Sequence, residues 1–586
     1  MTWARKGDDD RAIADYDQAI RLDPTLANAY NNRGSAWAHK GDYDRAIADY
    51  DQAIQLDPKH ANAYYNRGLS RAAKGNQERA IADYSEVIRL NPTHALAYQD
   101  RGSAWANKGD NDRAIADYNQ AISLDPKNAS VYYNRGIAWS AKHEYDLAIA
   151  DDDQAIDLDP ENAKAYYNRA LAWANKGDND RAIADYNQAI SLDPKYSDSY
   201  SGRGLMWARK QELDRAIADY DKAIGLNANH AIAYHNRGLA WFGKGEPDRA
   251  IADLDRSIVL DPKDASTYYD RATIWGSKND AVRAITDFDK AINLDPKNPA
   301  AFFNRGITWA AKGDADKAIA DYDRAIELNP KLTVAYYRRG SAWLEKGYDS
   351  RAIADYDKTI ALNPKMAIAY NDRGFAWSNK SNYDLAIADY DRAIELDAKS
   401  IKSYQNRAFA WVEKGQYDRA IADYGEAVQL DPKDARTYAG RGVLYLYSTG
   451  QLTKAQVDLS QAAALVPENA YFAIWLDIAT RRNGAASHLQ QAETKLDMTK
   501  WPAPLVSMLL GRKTPAEALS DANAVDLTQR TGKVCETNFY TAELDRLQGH
   551  DEDALRLYRL AVSDCPRNFV EYRAAKMALR ALGTSP

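Results

Sequence analysis

An octet of residues, Ala61-Asn62-Ala63-Tyr64-Tyr65-Asn66-Arg67-Gly68, returns with small changes every 34 residues through most of this chain. Its fourth place is aromatic thirteen times, from Tyr30, Tyr64 and Tyr98 through Phe302 to Tyr404 and Tyr438. A unit this short cannot bury an apolar face by itself, so each copy must stack on the next. A chain of 586 residues is then one array with a distinct end, instead of three or four separate domains.

Within the copy that opens at Ala27, the residues Tyr30, Gly34 and Trp37 recur at i, i+4 and i+7, the spacing of one helix face. Gly41 ends that helix, and Asp42 stands where a carboxylate caps the next one. Ala46, Tyr50, Ala53 and Ile54 share one face of the second helix. Asp57-Pro58 stops it, because proline cannot continue the ladder and restrains its predecessor. Small residues (Gly34, Ala46, Ala53) allow close approach of the helices.

This spacing of small, aromatic and proline places resembles the tetratricopeptide repeat. The resemblance implies an all-α, right-handed superhelical solenoid of 34-residue helix-turn-helix repeats, with a concave groove lined mainly by first helices. Residues 1–26 read as a truncated first repeat and 27–468 as thirteen tandem repeats. An irregular helical segment, 469–534, precedes a final repeat over 535–568, and residues 569–586 form a capping helix and tail. Met1 falls at the ninth place of a repeat, so the opening helix is expected to be half built and to need a cover.

Twelve of the fourteen tryptophans, from Trp3 and Trp37 to Trp411, occupy one place of the repeat, which reads as a core stripe between helices. Arg71 replaces tryptophan once and Asp152 replaces the second-helix tyrosine once; both read as local weak points, with binding features as the other reading.

Arginine fills the seventh place without exception, as at Arg33, Arg67, Arg169 and Arg305, where the tetratricopeptide pattern has leucine. An equally regular acid, as at Asp49, Asp83, Asp185 and Asp321, sits one turn into the second helix. Both places border apolar faces, where an unpaired charge is costly. Each arginine is therefore expected to bridge to an aspartate, within a repeat or across to a neighbour. The rival reading has the arginines lining a site for acidic peptides.

The variable places of the first helix are the groove candidates. The fifth carries Tyr65, Tyr133, Tyr167, His235, Tyr269 and Phe303, and the sixth carries Asn32, Asn66, Asn134, Asn168, Asn236 and Asn304. Asparagine both donates and accepts, so such an array can hold an extended peptide by its backbone. The array resembles the asparagine ladders of kinesin light chain and O-GlcNAc transferase; the other reading is that these residues only cap or solvate the helix. The carboxylate clamp of chaperone-binding members is missing, since the ninth place reads Ser35, Leu69, Ser103, Ile137 and Leu171.

After Val466-Pro467 the period breaks, following one extra residue in the preceding repeat. Helices are expected over Tyr471 to Arg482 and on to Leu496, then around Leu509-Leu510-Gly511-Arg512 and Thr514-Pro515-Ala516-Glu517. A regular repeat resumes at Cys535, and a closing helix from Val570 to Leu582 is expected to shield the end of the stack. The stretch containing Trp501, Leu510-Gly511, Glu536-Thr537-Asn538-Phe539-Tyr540, Leu560-Ala561-Val562 and Asn568-Phe569-Val570-Glu571-Tyr572 resembles the C-terminal part of NlpI-type bacterial outer-membrane lipoproteins. That resemblance implies an adaptor of the cell envelope and a possible homodimer, although this sequence shows no lipid-attachment cysteine and a far longer array. Cys535 and Cys565 fall at neighbouring ends of a helix pair, where a disulfide or two free thiols are both open; the bridge requires an oxidising compartment.

The chain carries 84 acidic against 77 basic residues, a net charge of -7. Such a balance gives little attraction for a phosphate backbone, so nucleic acid is not expected as a partner. No apolar run approaches the roughly 18 residues of a membrane span. The eight histidines never pair at helical zinc spacing, and the Lys-Gly-Asp turns are not phosphate loops. No catalytic residue, metal or cofactor is expected, and the partner is expected to be a protein or an extended peptide. Location is expected in the periplasm or at the outer-membrane periphery if a missing N-terminus carries a signal, and otherwise in the cytoplasm. Two other readings stay open: a targeting or regulatory arm of a larger enzyme, and an architectural rod that self-associates.

Overall fold

Each repeat folds as two helices, and three residue types fix their limits. In the copy from Ala61, the first helix is Ala61–Ala73 and the second Gln77–Leu90. The fifteenth place must turn the chain with a positive φ, as at Gly41 (79°) and Gly75 (78°). His143, Gln211, Asn279 and Ser381 take the same conformation at φ near 60°, where a Cβ costs about 1 kcal/mol. The next residue caps the second helix: the Asp42 carboxylate accepts from the Arg45 amide at 3.0 Å. At the other end Asp57 is extended ahead of Pro58 (φ -134°, ψ 94°), and its carboxylate takes up the Lys59 amide at 3.0 Å.

The computed structural model describes residues 8–525, 527–567 and 569–584. The truncated opening helix with Trp3, and Asn568 of the tail, lie outside the described residues. Two units, Met1–Leu294 and Asp295–Pro586, make up the chain. In each, helix pairs stack in chain order, and successive first helices touch while second helices stay further apart. The first helices therefore face the inner side of each stack.

The core of a repeat is small and exact in fit. Ala46, Tyr50 and Ala53 are buried, and a Cβ on Gly34 would lie 2.8 Å from the Tyr50 ring, so a side chain there would have to push the ring aside. Gly68 with Tyr84, and Gly306 with Tyr322, repeat the fit. The stripe tryptophans are half-buried against this core, and their outer faces carry a cation: Arg113 lies 4.5 Å above Trp105, and Arg181 4.5 Å above Trp173. Thus the stripe is the outer wall of the core as much as its interior.

The extra residue ahead of the tail is taken up by a π-helical turn, Tyr445–Thr449. Helices Ala470–Arg482, Leu489–Glu493, Ala503–Leu509 and Pro515–Asn523 follow; the second is shorter than the sequence suggests. Thr514 and Glu517 form a capping box. The helix that holds Cys535 begins earlier than that residue, at Leu527, and runs to Leu547. Asp551–Asp564 pairs with it.

The closing helix, Val570–Ala581, differs from expectation in what it covers. It packs on Asp551–Asp564 but also returns to the π-helical turn and the inner side of the repeat from Ile401. Arg573 lies 4.9 Å over the ring of Phe409, and Arg580 donates to the Tyr417 hydroxyl at 2.9 Å. Its apolar residues (Ala574, Ala575, Met577, Ala578, Leu579) join the core of the tail.

Candidate peptide-binding face and its arginine rungs

The seventh-place arginines are held in a three-armed rung. Arg169 donates from Nε and Nη2 to both oxygens of Asp185, at 2.8 and 2.6 Å, within its own repeat. Its Nη1 reaches back to Asp153 of the preceding repeat at 2.6 Å. Arg67 does the same with Asp83 and Asp51, and Arg305 grips Asp321 at 2.8 and 2.6 Å. The aspartates are buried and the arginines mostly so. The hydrogen bonds to Asp185 hold the Arg169 guanidinium well above its ordinary range. The fourth-place ring flanks the guanidinium, with Arg169 5.5 Å from the Tyr166 centroid.

A guanidinium that spends three donors on two carboxylates has little left for an acidic peptide. Bidentate geometry fixes the two helices of a repeat against each other, and the third arm fixes that repeat against the one before. That third acceptor varies (Asp51, Ser85, Asn119, Asp153, Asn187), so its chemical constancy is hidden by changing identity. Arg71 is not a gap: it donates to Asp83 at 2.8 Å, giving that carboxylate two guanidinium partners.

Asp152 is a true weak point. It is 0% exposed, and among the described residues neither carboxylate oxygen has a hydrogen-bond partner. Burial first, then the neighbouring Asp151 charge, pushes it up to about 8. The Nδ2 of Asn168 is likewise buried without a partner. Gly136, which elsewhere would meet a tyrosine ring, faces the Asp152 carboxylate instead.

The groove candidates divide by what they touch. Tyr65 donates to Asp100 at 2.7 Å and lies 5.0 Å from the His94 ring. Asn66 bridges to Asn31 at 3.1 Å and Ser35 at 3.3 Å, while Asn32 accepts from Asn31. Tyr133 packs with Ala155, Ile156 and Ala165. Tyr167 sits between Tyr186 and Tyr196, Tyr269 against Phe288, and Phe303 against Tyr322. His235 Nδ1 is 2.6 Å from Thr267 Oγ1 and its Nε2 3.1 Å from Asp270; beside it, with Asn236, opens a pocket of about 450 Å³. Asn134 and Asn304 are half-buried on the same helix face. The candidates are thus half-buried, and the fifth-place rings and Asn66 are tied to a neighbouring repeat or to the core of their own.

Sequence reasoning missed what flanks them. The second and ninth places share this face with the fifth and sixth, at i, i+3, i+4 and i+7. Leu96, Ile232, Val334 and Ile368 at the second place, and Leu69, Ile137, Leu171, Leu239 and Phe375 at the ninth, are large, apolar and exposed. The signal was present in the ninth-place leucines, which were read only as the absence of a clamp. Asp100 and Asp372, which stand where asparagine is usual, were also missed; burial raises both, and each accepts a tyrosine hydroxyl.

Cys535 and Cys565 are joined as a disulfide, with Cα atoms 5.0 Å apart. Among the described residues no helix is long and apolar enough to cross a membrane, and no cluster of ligating side chains could hold a metal ion.

Among solved structures, the chain is similar to MamA at 29% identity over 28% of this chain and 96% of that one (TM-score 0.27). It is similar to YrrB, described as a tetratricopeptide protein with an unusual peptide-binding site, at 24% identity over 32% and 96% (TM-score 0.28). A tetratricopeptide protein from Parabacteroides merdae matches at 20% identity over 41% and 95% (TM-score 0.36). Family models described as TPR repeat match residues 4–41, 38–75, 102–142 and 410–446. Models described as tetratricopeptide repeat match 61–94, 163–196, 208–265, 299–332 and 350–401. These stretches span more than half of the chain and coincide with the helix pairs and rungs described above; the chain belongs to the tetratricopeptide-repeat family.

Proposed function

We propose that the chain is a non-catalytic scaffold that binds extended peptides or partner segments along the inner face of its first helices. The observation that carries this reading is the row of exposed apolar side chains at the second and ninth places, beside half-buried tyrosines and asparagines. Ile232 is 65% exposed and Phe375 43%, although both stand on the inner side. Isolated exposed leucines are ordinary on any surface, but a row on one face marks a contact site. The chain itself supplies an occupied example. At the ninth place Phe409 is half-buried under Arg573 of the closing helix, whereas its counterpart Phe375 is open.

Panning the full chain against a displayed dodecamer library tests the reading. Recovered peptides are expected to lose binding to Leu171→Asp and Leu239→Asp variants whose circular dichroism is unchanged. Peptides that bind these variants as well as the parent would sink it. We further place the protein in the bacterial envelope, on the oxidising side of the membrane; the Cys535–Cys565 bridge supports this, together with the tail's likeness to the NlpI-type lipoproteins. Alkylation of protein from cells without reductant is expected to label neither cysteine, and two labelled thiols would refute the placement.

A further inference from the structure

The tail contains a half-open pocket of about 610 Å³, lined by the last regular repeat, Ala470–Arg482, Leu527–Leu547 and the closing helix. Its walls are mainly apolar and aromatic, including Val443, Phe472, Trp475 and Met577, with the Arg436 and Arg573 side chains and Asn469 also on the lining. Its volume lies within the ~300–1,000 Å³ common for small-ligand sites. Two carboxylates, Glu536 and Glu571, reach it, at only 7% and 5% exposure.

These acids are satisfied as hydrogen-bond acceptors but not as charges. Tyr471 and Trp501 donate to one Glu536 oxygen at 2.9 and 2.7 Å, and Tyr540 donates to Glu571 at 2.8 Å. Among the described residues neither acid has an ion-pair contact; Lys533 and Arg573 act on them only through space. Arg573 is turned toward Glu413, 3.9 Å away, and over Phe409. The same helix shows what a finished site looks like. Two turns on from Glu536, Glu543 is fully buried and holds Arg482 at 2.6 Å. Burial pushes Glu536 up to about 7, with the Glu571 charge beside it adding to the effect, and Glu571 is raised by burial as well.

We propose that this cavity binds a primary ammonium group carried on an apolar stem, with Glu536 and Glu571 as its counter-ions and the aromatic wall holding the stem. A cation entering between two buried acids supplies the partner that Arg482 supplies to Glu543. It also favours the ionised acids, so binding near neutral pH releases a proton from the Glu536 carboxyl group to solvent. A neutral stem of the same length recovers the apolar contacts alone.

Calorimetry on the full chain at about pH 7, in phosphate and in HEPES, tests this with three probes. These are n-butylammonium, Nα-acetyl-lysine N-methylamide and Nα-acetyl-norleucine N-methylamide. The lysine amide is expected to bind at least about tenfold tighter than the norleucine amide, with buffer-dependent heat from proton release. Tighter binding of the lysine amide than of butylammonium assigns the site to a partner's side chain, and the reverse order to a free amine. Glu536→Gln keeps an acceptor for Tyr471 and Trp501 and is expected to weaken ammonium binding about tenfold. Equal affinity for lysine and norleucine amides in the parent protein, which requires no variant to fold, would overturn the proposal. So would a folded Glu536→Gln protein that binds the lysine amide unchanged.

Discussion

The regular array and the tail solve the same electrostatic problem in different ways. In the array, the buried aspartate of a rung meets a guanidinium from its own repeat, and that guanidinium reaches back to the repeat before it, as Arg169 does with Asp185 and Asp153. In the tail, one buried glutamate has an arginine and two others have only hydroxyl and indole donors. The difference follows from copy number. A charge left unpaired in a repeated unit recurs at its full cost in each copy, so repetition admits only self-sufficient pairs. A segment present once can keep an unpaired acid, and in this chain that is where the half-open pocket lies. Inside the array Asp100 and Asp372 take hydroxyl or side-chain amide donors in place of a guanidinium, and Asp152, with neither, alone among the described second-helix tyrosine places brings a carboxylate to the Gly fit.

The comparison breaks hardest at the tail's finished pair. Arg482→Met leaves the Glu543 charge fully buried with only the Tyr558 hydroxyl beside it, and is expected to cost about 3–5 kcal/mol. Hydrogen exchange on the full chain should show faster opening of Leu527–Leu547 and Asp551–Asp564, with the helices before Leu444 unchanged. Equal loss of protection along the array would show that tail and repeats are one cooperative element.

Asp152 comes next, and its effect depends on pH. The unfolded carboxyl ionises from about pH 4, while the folded one keeps its proton to about 8. Within that window the unfolded state binds fewer protons, so stability falls as pH rises, by at most about 1.4 kcal/mol per unit, and levels off above it. Asp152→Asn removes this slope. Asp152→Tyr restores the ring that Gly136 is shaped to accept, and a gain of about 2–3 kcal/mol near neutral pH is expected from apolar burial and loss of the orphan acid. Exchange rates in Ala129–Ala141 and Tyr145–Leu158 measure it; a parent protein whose rates show no dependence on pH beyond the intrinsic one would refute the account.

A single rung should be cheaper to damage than Arg482. Asp185→Asn keeps one acceptor for Arg169, which also retains Asp153, so about 1–3 kcal/mol is expected, felt in the repeats on both sides. Unchanged stability together with lost partner binding would instead make the arginines part of a ligand site.

These sites were unequally legible in the sequence. The 34-residue period, the Gly-Asp turn and the Arg and Asp ladders are local regularities, and a regularity repeated thirteen times is visible in any one chain. The third arm of the rung was hidden because Asp, Asn and Ser accept equally well and so never look constant. Arg71 looked like a defect because its role lies in the fold, twelve residues away at Asp83. The tail's cavity could not be read at all. Glu536 looks like any helical glutamate, and its partners Trp501 and Tyr471 lie 35 and 65 residues distant.

The smallest effects test additivity, the property in which array and tail should differ most. Arg113 lies over Trp105 at the surface, and Arg113→Ala is expected to cost only about 0.5–1 kcal/mol, while the Asp110 cap on its backbone amide survives. Arg181→Ala and Arg249→Ala remove the same contact over Trp173 and Trp241. Because the three sites share no partner, the triple variant should lose the sum of the single losses to within about 0.5 kcal/mol. In the tail, Tyr471 and Trp501 share the Glu536 oxygen, so Tyr471→Phe and Trp501→Phe should not add: the second loss leaves a buried acid with no donor and exceeds the first. Additive behaviour in both places would mean that the tail's acids are as self-contained as the rungs, and would remove the physical basis for treating the two regions differently.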